Sequence, residues 1–500
     1  MKVFSLVLLV VMAVSCAVNK KSISRDDGKI ELTIVQVNDV YEIAPLSDGA
    51  FGGMARVATM KKNELKANPN TLLVMAGDFL SPSVYNSLQY EGERIRGRQM
   101  VEAMNAAGFD IAVFGNHEFD IKESELQERL NESAFQWISS NSFLKKKDSI
   151  YPFAKYSAGK KDALPPYKII TIKDKDGTSA KIGFIGINIP FNASDYVAYT
   201  NPLNTALHLY DRIKDSCDIV IPITHQAVGD DSILARHIPQ LPLIIGGHEH
   251  DMRFKKIGNV YITKANSNAR TAFIIKININ KNDKKVNVYP ELRTLDKTVG
   301  FDSATNAVVK KWTAIADRNY AALGFDPMKI ILPNGDSLEG REIKTRTGST
   351  NLTRLVVDAM AAACPNAEVA IMNAGSIRLD DILYAPVSEY DMLRSMPFGG
   401  SIREVDMKGE LLNEIFAANE KNKSTGGYLQ YTQGLKKIDE SRVYHVAMTD
   451  FLLTGGEANL GFLNEKNSLI TRVYPEQTAN TDPRSDLRLA VIRFMLRMQH

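Results

Sequence analysis

Between Ile30 and about Asn280, short apolar runs alternate with amphipathic stretches. Leu32 to Val37, Thr71 to Ala76, Ile111 to Phe114, Ile182 to Ile187, Ile219 to Ile223 and Leu243 to Ile245 have the length and β-branched content of buried strands. Arg98 to Ala107 and Leu207 to Ser216 carry helical periods between them. This alternation predicts a layered α/β domain around a largely buried sheet. Five of the six strands are followed by polar residues of ligand type: Asn38-Asp39, Gly77-Asp78, Gly115-Asn116-His117, Thr224-His225 and Gly246-Gly247-His248. Such residues at the carboxyl ends of neighbouring strands are expected to converge on one rim of a sheet, where α/β domains place their active sites.

Further on, Lys281 to Asp302 is charged and turn-rich, and Ser303 to Leu323 reads as one amphipathic helix connecting two domains. A second pattern follows, with a helix over Asn351 to Ala363 and strands over Val369 to Met372 and Tyr444 to Met448. The expected divisions are 1–15 (export signal), 16–29 (tether), 30–295 (catalytic domain), 296–325 (linker helix) and 326–500 (substrate domain). At 500 residues, 44% hydrophobic and 24% charged, the chain has ample material for two cores and is neither disordered nor polytopic. A net charge of +3 without a long basic block gives no reason to expect a nucleic-acid polymer as partner.

Lys2, the apolar run Val3 to Met12 and the small residues before Cys16 describe a secretory signal too short to span a bilayer. Ser15-Cys16 resembles a bacterial lipobox, with Ala13 where Leu is usual, so Cys16 is the expected lipidation site and the cell envelope the expected location. The alternative is a soluble secreted protein cut nearby. Ala17 to Lys29 is polar and suits a flexible tether between membrane and domain. Three cysteines, Cys16, Cys217 and Cys364, exclude a disulfide scaffold, and the last two read as buried small residues.

Of eight histidines, His117, His225, His248 and His250 all follow predicted strands. With Asp39, Asp78 and Asn116 they supply the imidazole and oxygen donors that a pair of divalent ions needs. Two ions about 3.5 to 4 Å apart can share a carboxylate, generate hydroxide near neutral pH and stabilise an in-line phosphoryl displacement. Asp78 is the natural bridge. These segments, with Gly115-Asn116-His117-Glu118-Phe119-Asp120 the most specific, resemble in order and context the calcineurin-like metallophosphoesterases of the 5′-nucleotidase family. The resemblance implies a four-layer α/β sandwich followed by a second α/β substrate-binding domain. It further implies that Asp39, Asp78 and His250 hold one ion and Asp78, Asn116, His225 and His248 the other. Zinc, manganese, magnesium and iron all remain open as the ions. His117, oriented by Asp120, would stabilise the transition state or protonate the leaving oxygen.

The family's Asp-x-His after the first strand reads Asp39-Val40-Tyr41 here. Three readings follow: Tyr41 ligates as phenolate to a harder metal, Tyr41 lines the pocket without ligating, or the first ion binds weakly and activity falls. In the second domain, Asn373-Ala374-Gly375-Ser376-Ile377-Arg378, Met396 to Gly400 and Thr449 to Glu457 also resemble family segments. By that resemblance Phe398 and Phe451 sandwich a base, Arg346, Asn373 and Arg378 bind substrate, and Glu457 stands where Asp is usual. The expected activity is metal-dependent hydrolysis of nucleoside 5′-monophosphates. The alternatives are hydrolysis of a UDP-sugar or 2′,3′-cyclic nucleotide, or a nucleotide-binding lipoprotein with catalysis impaired at Tyr41.

Overall fold

A computed structural model describes residues 26–47, 49–191, 194–424, 426–435 and 437–499. The export signal, Cys16 and most of the tether lie outside the described residues, as does His500. The last tether residues are fastened to the folded domain: Thr178 Oγ1 donates to Asp26 Oδ1 at 2.5 Å and Asn282 Nδ2 to the Asp27 carbonyl at 2.9 Å.

Down the chain come β1 (Lys29–Val37), α1 (Met54–Ala67), β2 (Thr71–Ala76), α2 (Arg98–Ala107), β3 (Ile111–Val113), α3 (Glu123–Glu132) and β4 (Gln136–Ile138). After a hairpin-rich segment follow β5 (Tyr167–Lys173), β6 (Ser179–Asn188), α4 (Pro202–Ile213), β7 (Ile219–His225), α5 (Val228–His237), β8 (Leu243–Gly247), β9 (Arg253–Ile257), β10 (Val260–Lys264), β11 (Thr271–Asn280) and β12 (Lys285–Thr294). They form two six-stranded sheets, β12-β11-β1-β2-β3-β4 and β5-β6-β7-β8-β10-β9. Inward residues of both, among them Leu32, Ile34, Val74, Ile182, Phe184, Ile221 and Ile245, make one buried cluster between the sheets. On the far side of the first sheet, α1 and α2 pack with Val57, Met100 and Met104; on the far side of the second, α4 and α5 pack with Leu209, Ile213 and Leu234. The result is a four-layer α/β/β/α sandwich. Local signals place the helices. Gly108, left-handed at φ 72°, stops α2, and Asn201 caps α4 with Pro202 in its first turn. That cap starts α4 several residues ahead of the span its apolar period predicts.

Beyond Asp302, whose side chain accepts from Thr305 N at 3.0 Å, runs α6 (Ser303–Ala322). The helix expected to link two domains packs on α1 and α2, burying Trp312 completely, with the indole Nε1 donating to Glu102 at 2.9 Å. The second domain has α7 (Asn351–Ala363), β13 (Val369–Asn373), α8 (Glu389–Ser395), β14 (Ile402–Lys408), α9 (Gly409–Lys421), β15 (Leu429–Tyr431), β16 (Val443–Thr449), β17 (Ile470–Val473) and α10 (Leu487–Arg497). Its sheet order is β15-β13-β16-β14-β17, with β13 and β16 parallel. The cluster under α1 and α2 continues through Trp312 and Tyr320 to Leu352, Val356 and Met495, so α6 joins both domains through one apolar core. Cys217 and Cys364 are free thiols, Cys364 buried and Cys217 partly so. Among the described residues no helix is long and apolar enough to cross a membrane.

Candidate active site

The expected ligand residues come together, but not on the rim of one sheet. Asp39, Asp78 and Asn116 follow β1, β2 and β3 of the first sheet, whereas His225, His248 and His250 come from β7 and the turn after β8 of the second. The site is the seam where the carboxyl ends of two facing sheets meet. Periodicity identifies strands but cannot assign them to sheets, which is why the sequence points to one rim where the fold has two.

Asp39, Asp78, His248 and His250 all have left-handed backbones, at φ 52°, 55°, 98° and 58°. Such strain in non-glycine residues persists only where surrounding contacts enforce it. Glu118, to which the sequence reading gives no role, supplies many of those contacts. Its buried carboxylate accepts from the amides of Asp78 (2.9 Å), Phe79 (2.7 Å), Leu80 (3.0 Å) and Gly115 (2.6 Å). Burial and the neighbouring Asp78 push Glu118 up to about 7, while the amide donors favour its ionised form. Gly115 is required by packing, since a Cβ there would lie 2.1 Å from Asp78 Oδ1.

Lys264, also unassigned from sequence, does the same for the other sheet. It is fully buried and pairs with Asp231 at 2.9 Å and Glu249 at 2.6 Å, and donates to the Gly247 carbonyl at 2.8 Å. It thereby fixes the turn that carries His248 and His250. Neither residue has a spacing signal, although Glu118 lies inside the most specific motif as its one ionisable group without an assigned role.

The donor atoms of Asp39, Asp78 and His250 lie within 4.8 Å of one another. His225 donates from Nδ1 to the Ala76 carbonyl at 2.8 Å, turning Nε2 toward Asp78 Oδ2 at 3.0 Å. Among the described residues, His225 Nε2 and Asn116 Oδ1 are both buried without a well-directed hydrogen-bond partner. A buried imidazole nitrogen, an amide oxygen and carboxylates leave demand for positive charge that these protein contacts do not meet, and the donor set fits divalent ions. The electrostatics agree. Burial opposes a charged imidazole, yet Asp78 and Asp39 outweigh it and push His225 up to about 9. Burial opposes a charge on His250 too, but Asp380 above all pushes it up to about 10, whereas burial and the charge on His225 lower His248 to about 3. Burial would raise Asp78, but His225 and His117 hold it below the usual carboxylate range. The rings of His225 and His248 stand 5.4 Å apart, and the His248 amide donates to Asp39 at 2.9 Å.

His117 Nδ1 lies 2.7 Å from Asp120 Oδ2, and its backbone amide donates to Asp78 Oδ1 at 2.8 Å. Burial works against its protonation, but Asp120 and Asp78 raise its pKa above the ordinary imidazole value. The Tyr41 hydroxyl is 2.7 Å from His250 Nε2 and 3.3 Å from Asp78 Oδ2. Burial, Asp78 and Asp39 push this phenol well above its ordinary value.

From the second domain, Asn373 Nδ2 donates to Glu457 Oε2 at 2.8 Å, and Ser376 and Thr449 donate to Asn373 Oδ1 at 2.8 and 3.1 Å. Arg346 pairs with Glu342 at 2.9 Å, and both Arg346 and Arg378 keep a buried Nε without a partner among the described residues. The Arg378 guanidinium sits 5.5 Å from the ring centre of Phe398. Phe398 and Phe451 are 51% and 44% exposed, so neither is a core residue. Phe451 lines an open cleft of about 680 Å³ with Arg403, Asp450 and Glu465. Asp450 ties the two aromatic loops together: one oxygen accepts from Phe451 N at 2.6 Å and the other from Ser401 N at 3.0 Å, just beyond Phe398-Gly399-Gly400. Asp380, likewise without a sequence signal, reaches across to His250 at 2.7 Å.

The family description "Calcineurin-like phosphoesterase" matches residues 32–252, and "5'-nucleotidase, C-terminal domain" matches residues 333–437. A human 5'-nucleotidase is 23% identical over 91% of this chain and 88% of its own length. The crystal structure of a 5'-nucleotidase precursor from Thermus thermophilus superposes with TM-score 0.68 at 19% identity, covering 94% of this chain and 97% of that one. A sulfate thiohydrolase, SoxB from Thermus thermophilus, has the same fold at TM-score 0.64 and 12% identity, covering 93% of this chain and 94% of its own.

Proposed function

Because the chain belongs to the 5′-nucleotidase family of calcineurin-like metallophosphoesterases, hydrolases acting on phosphoric ester bonds, we propose that it cleaves nucleoside 5′-monophosphates to nucleoside and phosphate with two divalent ions. The observation that carries this reading is a pair of buried ligand-type atoms without a well-directed hydrogen-bond partner among the described residues, His225 Nε2, 3.0 Å from Asp78 Oδ2, and Asn116 Oδ1, in the same site as the His117–Asp120 pair. Asp39, Asp78 and His250 would hold one ion, and Asp78, Asn116, His225 and His248 the other. When bound, the ions supply Lewis acidity and a hydroxide near neutral pH. His117 Nε2, with Nδ1 held by Asp120, carries a proton to the leaving oxygen. Arg346 and Arg378 present guanidinium donors to phosphate oxygens. Phe398 and Phe451 offer exposed faces to a base, and Asn373 with Glu457 offers polar contacts to the nucleoside. Tyr41 acts as a neutral wall of the pocket, hydrogen-bonded to His250.

The same reading places the chain outside the cytoplasm, anchored through lipid on Cys16. Replacing Cys16 with Ser is expected to move the protein from the membrane to the soluble fraction. For the activity, the test is phosphate release from AMP after chelation and re-addition of zinc, manganese, magnesium or iron, with metal content measured on the same samples. Ion-dependent release supports the reading. Cleavage of a UDP-sugar or a 2′,3′-cyclic nucleotide in preference to AMP would favour the second reading.

A further inference from the structure

His250 is the only imidazole of the seam whose second nitrogen is held by the other domain, among the described residues. Its Nδ1 lies 2.7 Å from Asp380 Oδ2, while its Nε2 faces Asp39 Oδ1 at 3.4 Å and the Tyr41 hydroxyl at 2.7 Å. A carboxylate only accepts, so Nδ1 carries a hydrogen toward Asp380, and Nε2 is the nitrogen that faces the seam and can offer a lone pair there once an ion displaces its proton. Asp380 itself is well braced. Its Oδ1 accepts from the Glu342 amide, its backbone is left-handed at φ 42°, and its neighbour Asp381 pairs with Arg270 across the same boundary. Tyr41, at the position where an imidazole is expected, bonds through its hydroxyl to His250 and Asp78, and His250 is the one imidazole in the triad with Asp39 and Asp78.

We propose that Asp380 is a positioning residue for one metal ion: by fixing the tautomer and tilt of His250 from the second domain, it makes the affinity of that ion depend on how the two domains are seated. The inference rests on the dinuclear reading above. An ion bound to His250 favours the seated arrangement, and by reciprocity the seated arrangement favours the ion. Among the described residues, no hydrogen bond or ion pair runs from the second domain to the side chains of Asn116, His225 or His248, which with Asp78 would hold the second ion; the Asp380 charge reaches His248 only through space.

The full-length chain, stripped with chelator, is titrated with Mn²⁺ by equilibrium dialysis, and amide exchange across residues 378–383 is followed with and without the ion. Wild type is expected to bind two ions, and Mn²⁺ is expected to slow exchange in this segment. Asp380→Asn can turn its amide NH₂ toward Nδ1 and reverse the tautomer. It should bind one ion unchanged and the other about 10- to 100-fold more weakly, with exchange no longer sensitive to Mn²⁺. Asp380→Glu restores a carboxylate and should recover part of the affinity. Asp381→Asn loosens the neighbouring interdomain pair without touching His250 and should weaken the same ion by less than Asp380→Asn does, leaving the other ion unchanged. Unchanged binding in Asp380→Asn, or equal weakening in Asp380→Asn and Asp381→Asn, overturns the assignment. If Asp380→Asn does not fold, full affinity in Asp380→Ser, or exchange in wild type that ignores Mn²⁺, overturns it instead. A wild-type chain that binds fewer than two ions defeats the dinuclear reading, and the inference falls with it.

Discussion

The seam between the two sheets and the loop cluster of the second domain are built in opposite ways. At the seam Asp39, Asp78, Asn116 and His225 are buried and His248 and His250 partly so, the two aspartates and these last two histidines stand on left-handed backbone, and the site is held from behind by Glu118 on one sheet and Lys264 on the other. In the second domain the two expected base-binding rings are about half exposed and stand on a turn and a single 3-10 turn of helix. Ion chemistry needs donors fixed to within tenths of an ångström, so internal bracing is concentrated there. Flat ligands are held by ring faces that tolerate several bases, and exposure costs little.

The largest expected effect is at the seam. His117→Ala should lower turnover by about 10²- to 10⁴-fold while bound metal stays at the wild-type level; single-turnover kinetics with metal analysis checks this, and full activity would remove His117 from the reaction. Next comes the bracing. Lys264→Met leaves Asp231 and Glu249 buried without a counter-charge and should cost about 3 to 5 kcal/mol of stability, read by denaturant unfolding. A loss under about 1 kcal/mol, the size of an exposed ion pair, would mean that the seam is not held by this network.

How far each region can be read from sequence follows the same divide. The strand runs and the residues after them are visible because burial and turn chemistry leave local patterns. Gly115-Asn116-His117 and His248-x-His250 sit where strand ends place them. What local pattern cannot carry is which strands share a sheet, and so the expected single rim is in fact a seam. Lys264 and Asp380 are invisible for a related reason: each acts through partners distant in the chain, and an isolated Lys or Asp has no periodicity. The helix from Ser303 is recognisable from its apolar period, but its packing on α1 and α2 depends on where the neighbouring helices lie.

Smaller effects test the open region. Phe451→Ala should weaken AMP binding by about 1 to 3 kcal/mol, raising KM roughly 5- to 150-fold, and should leave a small aryl phosphate almost unaffected; an equal change for both substrates would make the ring structural. The smallest concerns His445, bonded to Asp406 at 2.6 Å and Glu404 at 3.1 Å on the second-domain sheet. Burial opposes its protonation but the two carboxylates win, raising its pKa. Its stabilising contribution is full below the unfolded value of about 6.5 and fades as pH climbs through the higher folded value. His445→Gln should therefore remove a decline of at most about 1 kcal/mol from the alkaline side of the stability profile, as seen in melting curves taken from mildly acidic to mildly alkaline pH.

Asp450 sets the Phe398 turn and Phe451 relative to each other with the two oxygens of one carboxylate. A single carboxylate thereby works as a rivet for two segments far apart in the chain: loosening it frees both together, so a change at Asp450 is felt at the turn after Phe398 and at Phe451 alike.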